Sequence, residues 1–295
     1  MKKMDFNYIK NKLIEISGLE HLTLQNILII VFSFIGVFII ELIIVGWDNS
    51  SLKRVFKFDK SIQNDLFYTL FETFSLFNFA TFIVTFGSFY YLTGLIQKNF
   101  HFNVSGIIQD PYLQFTLILV IGDFKNYVVH LIFHRYHTLW KMHEFHHSAT
   151  SMSIITHYRN HFIVKAVSTI FDAIFLVVVG APLLTFLFIQ IIQEIHRMLI
   201  HSSIKSDWGF IGKYIVVSPS AHRIHHSVNP IHANKNFGSS FIIWDRIFKT
   251  YHPPIEITEF GIPKNPYNKN GVFSDFILVI KNTFSTLFNT RKPNK

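Results

Sequence analysis

The sequence has no cysteine, and charged residues make up only 15% of its 295 positions. The first absence excludes disulfides, thiolate-held zinc, cysteine-ligated iron–sulfur clusters and a cysteine nucleophile. Any metal must therefore be held by nitrogen or oxygen. The shortage of charge, in a chain that is 49% hydrophobic with 34 Phe, leans away from a soluble domain and toward a membrane protein. There is no GxGxxG, P-loop or haem-attachment motif, so common redox carriers cannot be held by those means. Internal repeats, low-complexity tracts and linkers are also missing, and one membrane domain spanning 1–295 is the economical expectation. No cleavable signal peptide is expected, because the first apolar run starts late and no small-residue cleavage site follows it.

What the chain does contain is long apolar runs, at roughly 27–47, 66–96, 112–134, 163–179 and 183–200. A bilayer crossing needs about 20 such residues, so these predict an all-α, multi-span membrane fold. The last two runs are short and are separated by Gly180-Ala181-Pro182, which breaks a helix and turns the chain. Residues 272–289 have the pattern of an amphipathic helix lying on the membrane surface. The net charge of +9 comes from Lys and Arg in the short segments between apolar runs, as expected of membrane flanks rather than of a nucleic-acid-binding face. With five crossings the basic segments 53–60, 135–165 and 205–249 fall on one side, which is assigned to the cytosol. Lys2, Lys3, Lys10 and Lys12 then lie on the other side, in conflict with that assignment.

Fourteen of the seventeen histidines lie between His130 and His232. Their spacing is His130-x3-His134, then His143-x2-His146-His147, then His222-x2-His225-His226. Residues three and four apart on a helix are neighbours on one face, so each motif can aim two or three imidazoles at one point. One such motif arises by chance or as a surface pair; three at the ends of apolar helices call for a function, because polar groups near membrane depth are costly. Eight imidazoles are too many for one closed site, so two metal ions are expected. His201, at the end of the returning helix, is a ninth candidate of the same depth. HExxH is absent, and imidazole suits iron, zinc, copper and nickel alike, so spacing does not choose the metal. Asp123, Glu194 and Asp245 are expected to accept the outer N–H of ligand histidines, although Asp123 could equally pair with Lys125 or Lys98. His157 and His161, four apart, are evenly balanced between a part in the site and an outer or interfacial role. His196 is expected to point away from the site, His137 to lie in the bend between helices, and His21, His101 and His252 to have no role.

The run Asp123-x3-Tyr127-x2-His130-x3-His134, followed by Leu139-Trp140-x2-His143-x2-His146-His147-Ser148, resembles the fatty acid hydroxylase and sterol desaturase superfamily. So do Arg159-x-His161, His201-Ser202, Pro219-x2-His222-x2-His225-His226-Ser227, Asn236-Phe237-Gly238 and Trp244-Asp245-Arg246-x-Phe248. The resemblance covers about residues 120–251; Leu131 and Lys249 depart from the common pattern. It implies two iron ions held by the nine histidines, dioxygen as co-substrate, and a lipid that is hydroxylated, desaturated or cleaved at an ether. It also implies electrons from a separate reductase and a helical cap on the cytosolic side. Two other functions remain open: a dinuclear zinc membrane hydrolase, and a histidine-rich metal transporter. A transporter would carry its ligands along the middle of spans rather than at helix ends.

Overall fold

In the computed structural model, residues 24–74, 76–77, 80–81 and 104–288 are described. His21, His101 and most of the apolar run 66–96 lie outside them. Among the described residues the secondary structure is helical, with two isolated antiparallel bridges and no strand. The principal helices are α1 (Leu24–Asn49), α2 (Ser51–Lys57), α3 (Lys60–Thr73), α4 (Pro111–Arg135), α5 (His137–His147), α6 (Phe162–Val179), α7 (Leu183–His201), α8 (Gly209–Tyr214), α9 (Pro219–His225), α10 (Ile243–Ile247) and α11 (Val272–Phe288).

Among the described residues, three helical stretches are long and apolar enough to cross a membrane: Val31–Asn49, Pro111–Arg135 and Phe162–Val179. Five crossings were expected; most of the 66–96 run lies outside the described residues, and the 183–200 run departs for an identifiable reason. The described start of the 66–96 run belongs to α3, which is capped by Asp59 through the Ile62 N–H and buries Asn64 and Asp65. The 183–200 run does form a helix, but Gln190, Gln193, Glu194, His196 and Arg197 make its second half polar. Gly180 ends α6 with φ 61°, a left-handed conformation that costs a side-chain-bearing residue strain, and Pro182 caps the start of α7.

Helices α4, α6 and α7 pack side by side. Ile118, Phe175, Val179, Phe186 and Ile189 form the core at the hairpin tip, while Val129, Phe133, Met142 and Val164 form the core at the opposite end. The histidines belong to that opposite end. Glu41, the one charge in the first apolar run, is fully buried; it accepts hydrogen bonds from Ser51 N (2.7 Å), Ser51 Oγ (2.6 Å) and Ser203 N (2.5 Å). A carboxylate at membrane depth is tolerable only with such partners, and here they tie α1 to the residues that follow His201. Helix α11 does not lie free: Phe276, Val279 and Asp275 pack against α3 and α5, leaving Phe273, Ile277, Phe284 and Phe288 exposed on its other side.

Candidate metal centre

The nine histidines named from the sequence converge in two groups. One comprises His130, His134, His143, His147 and His225, the other His146, His201, His222 and His226; within each, one ring nitrogen per residue lies within 4.8 Å of all the others. The groups abut, with ring centroids 4.5 Å apart for His147–His226 and 5.2 Å for His143–His146. Each HxxHH motif is therefore divided, contrary to the expectation that it serves one point. His143 and His147 enter the first group and His146 the second, whereas His222 and His226 enter the second and His225 the first. Helical geometry accounts for this, since positions i and i+4 differ by about 40° around the axis but i+3 and i+4 by about 100°. The pair at i and i+4 can share a target; the intervening residue reaches the neighbouring one.

Two observations show that these rings fit metal ions. Nε2 atoms approach one another at 3.0 Å (His222–His201), 3.1 Å (His226–His222), 3.3 Å (His147–His143) and 3.4 Å (His201–His146). With metal–nitrogen bonds of about 2.1 Å, the edge of a coordination octahedron or tetrahedron is about 3.0 to 3.4 Å. Further, Nε2 of His130, His134 and His225 is buried without a hydrogen-bond partner, a costly condition for a polar atom that a cation would relieve. Desolvation, reinforced by the neighbouring imidazoles, holds His143, His146, His147, His222, His225 and His226 well below the usual histidine range. They are neutral at physiological pH, as ligands must be.

Backbone carbonyls orient the outer nitrogens. His130 Nδ1 donates to Phe237 O (2.9 Å), His225 Nδ1 to Lys235 O (2.9 Å) and His201 Nδ1 to Arg197 O (2.7 Å). The expected carboxylates do not fill this role directly. Asp123 accepts from Ser240 N, Phe241 N and Trp244 Nε1, and Lys125 pairs with Asp172 instead. Glu194 accepts from His157 Nε2 (3.0 Å) and Arg197, while the His157 ring lies 5.4 Å from that of His201. Asp245 stands one residue removed: it accepts from Phe237 N (2.8 Å), Gly238 N (2.8 Å) and Thr250 Oγ1 (2.6 Å), fixing the peptide whose carbonyl holds His130. Burial raises its carboxyl to about 6.

The Asn236-Phe237-Gly238 run acquires a structural explanation. Asn236 adopts φ 54°, and its Nδ2 donates to Ala221 O and His252 O. The Phe237 ring packs against His130, His134 and His225. A Cβ on Gly238 would sit 2.7 Å from Phe241 O and 2.9 Å from Asp245 Oδ2. Of the other histidines, His161 caps α6 by accepting from Ile163 N, His196 bonds Val217 O, His137 is exposed, and the rings of His232 and His252 pack on each other and join neither group.

Sequence reasoning gave Arg159 no role. It is fully buried, ion-paired with Asp65 (2.9 Å), and it donates to Phe145 O, Ser148 Oγ, Ser61 O and Asn268 Oδ1. It thus clamps the end of α5, which carries three of the ligand candidates. The nearest sequence signal was its place in Arg159-x-His161.

Residues 115–250 match the fatty acid hydroxylase family. That stretch, a little under half of the chain, is similar to the family. The matched region contains all nine converging histidines, Asp123, Arg159 and Asp245. Among curated proteins, the chain is 34% identical over 141 residues to an ornithine lipid hydroxylase of Rhizobium tropici, covering 48% of this chain and 42% of that one. It is 32% identical over 164 residues to an alkylglycerol monooxygenase of Caenorhabditis elegans, covering 54% and 31%. To the human alkylglycerol monooxygenase it is 27% identical over 176 residues, covering 59% and 39%. In each case the match spans less than half the relative's length. No solved structure matches.

Proposed function

We propose that this chain is an integral-membrane oxygenase that hydroxylates or desaturates a lipid, using dioxygen and two external electrons at a pair of iron ions. His130, His134, His143, His147 and His225 hold one ion; His146, His201, His222 and His226 hold the other. The observation that carries this reading is the two adjoining all-imidazole groups at one end of a helical bundle. Five nitrogens exceed a tetrahedral zinc shell, whereas an octahedral ion would keep one open position in the first group and two in the second. Iron bound there supplies the activation of dioxygen. Hydroxylation consumes one dioxygen, two electrons and two protons and gives the alcohol and one water; desaturation gives the double bond and two waters.

The chain's own part is to position, desolvate and hold neutral the nine rings and to present them where bilayer lipid can approach. The names of the relatives support lipids with a polar headgroup as substrates, ornithine lipids and alkylglycerols being the first to try. A separate reductase supplies the electrons. The site faces the cytosol, the side assigned from the basic segments at 53–60, 135–165 and 205–249.

The test is lipid conversion by the purified full chain in vesicles, with iron-loaded and zinc-loaded protein side by side, each with and without oxygen and an electron-donor system. Conversion is expected only with iron, oxygen and donor together. Conversion by zinc-loaded protein without oxygen would establish a hydrolase. Metal crossing the vesicle wall with every lipid unchanged would establish a transporter.

A further inference from the structure

Residues 209–217 and 240–249 form one unit beside the histidine groups. Val217 N donates to Ser240 O (2.8 Å) and Ile242 N to Ile215 O (3.0 Å), flanking the Val216–Phe241 bridge. Arg246 donates to Lys213 O, and its guanidinium lies over the rings of Tyr214 (4.4 Å) and Tyr251 (3.9 Å). This unit is fastened to the middle of α4, where Asp123 accepts three hydrogen bonds from it and the Phe124 ring meets Trp244 (4.9 Å) and Phe248 (5.9 Å). Phe124 precedes His130 by six residues, which places this contact about 9 Å along the helix axis toward the hairpin tip.

The unit is thus anchored part-way along a helix long and apolar enough to span a bilayer, and its outer side chains are apolar. Phe210 is 71% exposed, Ile211 54%, Ile243 43%, Ile247 57% and Phe248 49%. Its cations are Lys213 and Lys249, both exposed, and Arg246; its one acid, Asp245, is buried on backbone N–H groups. Apolar side chains bordered by uncompensated cations are the pattern of a surface that sits in the headgroup layer of an anionic membrane.

We propose that this unit is an interfacial shoulder, docked into the same bilayer that α4 crosses, with its apolar side chains at the acyl boundary and Lys213 and Lys249 among anionic lipid headgroups. The partner is lipid, argued from continuity with α4 and from the sign of the bordering charge. This inference rests on the chain being a membrane protein, so the experiment reads the two separately.

The natural chain has no cysteine, so single labels need no background substitutions. Nitroxides at Ile211→Cys and Ile247→Cys are compared in the full-length protein with labels at Ile39→Cys and Ile121→Cys in the candidate spans, and at Lys205→Cys on the polar surface. Vesicles are phosphatidylcholine with and without phosphatidylglycerol, and accessibility to oxygen is read against a water-soluble nickel chelate. An oxygen-to-nickel ratio several-fold above that of Lys205→Cys is expected at both shoulder positions. The ratio should rise further with phosphatidylglycerol, a shift that the double variant Lys213→Gln, Lys249→Gln abolishes. Nickel-dominated relaxation at 211 and 247 with lipid-like values at 39 and 121 would overturn the shoulder alone; shielding from both reagents would show a protein partner or second copy in its place. Nickel-dominated values at 39 and 121 would overturn the membrane reading itself, and an unchanged ratio with phosphatidylglycerol would remove the anionic-lipid component.

Discussion

At the scale of single residues, the two histidine groups are held by atoms of unequal visibility. The imidazoles declare themselves by spacing, but their outer nitrogens rest on carbonyls of Lys235, Phe237 and Arg197, and any residue type has a carbonyl. Two substitutions separate holding a metal from orienting a holder. His146→Ala removes a nitrogen from the group of four and His225→Ala one from the group of five, so each should lower bound metal and abolish lipid conversion. His137→Ala, exposed at the start of α5, should change neither; metal analysis of the purified proteins decides. Asp245→Asn touches no candidate ligand. It puts an amide against the N–H groups of Phe237 or Gly238, where a carboxylate now accepts from both, and so loosens the carbonyl that aims His130. A loss of metal affinity of about 10- to 100-fold is expected, as for other outer partners of metal-bound histidines. Chelator competition measures it, with Asp172→Asn as the control, and unchanged affinity would remove Asp245 from the positioning network.

At the scale of elements, the decisive arrangement is the meeting of the α5 and α9 histidine rings, each helix dividing its histidines between the two groups. The i, i+3, i+4 spacing made a shared helical face legible, but which of two neighbouring points each ring reaches depends on how the helices cross, and local pattern does not contain that. The same limit applies to α3. Its start at Asp59 and Lys60 lies ahead of the apolar run that begins near residue 66, and the burial of Asp65 is set by an arginine 94 residues later. Burial desolvates the Asp65 carboxyl and raises it, against the lowering effect of Arg159; the pair is therefore a device for fixing α5 rather than a net source of stability. Removing one partner leaves the other charge buried alone, at a cost of about 3–5 kcal/mol. Asp65→Asn should accordingly lower the unfolding temperature in detergent by many degrees. The double replacement of Asp65 and Arg159 by apolar residues of similar size should cost less than either single change. A single-variant loss below about 1 kcal/mol would show that the clamp on Phe145 and Ser148 is dispensable.

At the scale of the whole molecule, the bundle places its apolar hairpin tip at one end and its nitrogen-rich groups at the other, so one structure must satisfy both a lipid solvent and an ionisable core. That core sets the response to acid. His143, His146, His147, His222, His225 and His226 are held well below the ordinary histidine value of 6.5 by desolvation, so in the folded state they stay neutral where the unfolded chain is already protonated. Below about pH 6.5 the unfolded state binds more protons, and linkage then makes stability fall as pH falls. Asp245 acts in the opposite direction. Its carboxyl is raised from 3.8 to about 6, so its contribution is present at low pH and is lost as pH rises through 6. Burial raises the Asp65 carboxyl in the same sense, but two carboxyls cannot outweigh six imidazoles, and metal binding adds to the imidazole side because it requires every ring unprotonated. The metal-free protein in detergent should therefore hold a level unfolding temperature from pH 8 to about 7 and lose it steadily from there toward pH 5. The metal-loaded protein should follow the same direction from a higher starting point and release its metal over the same interval. A metal-free unfolding temperature that stayed level or rose between pH 7 and pH 5 would show that the rings are solvated in the apo state, and that the groups assemble only around the ions.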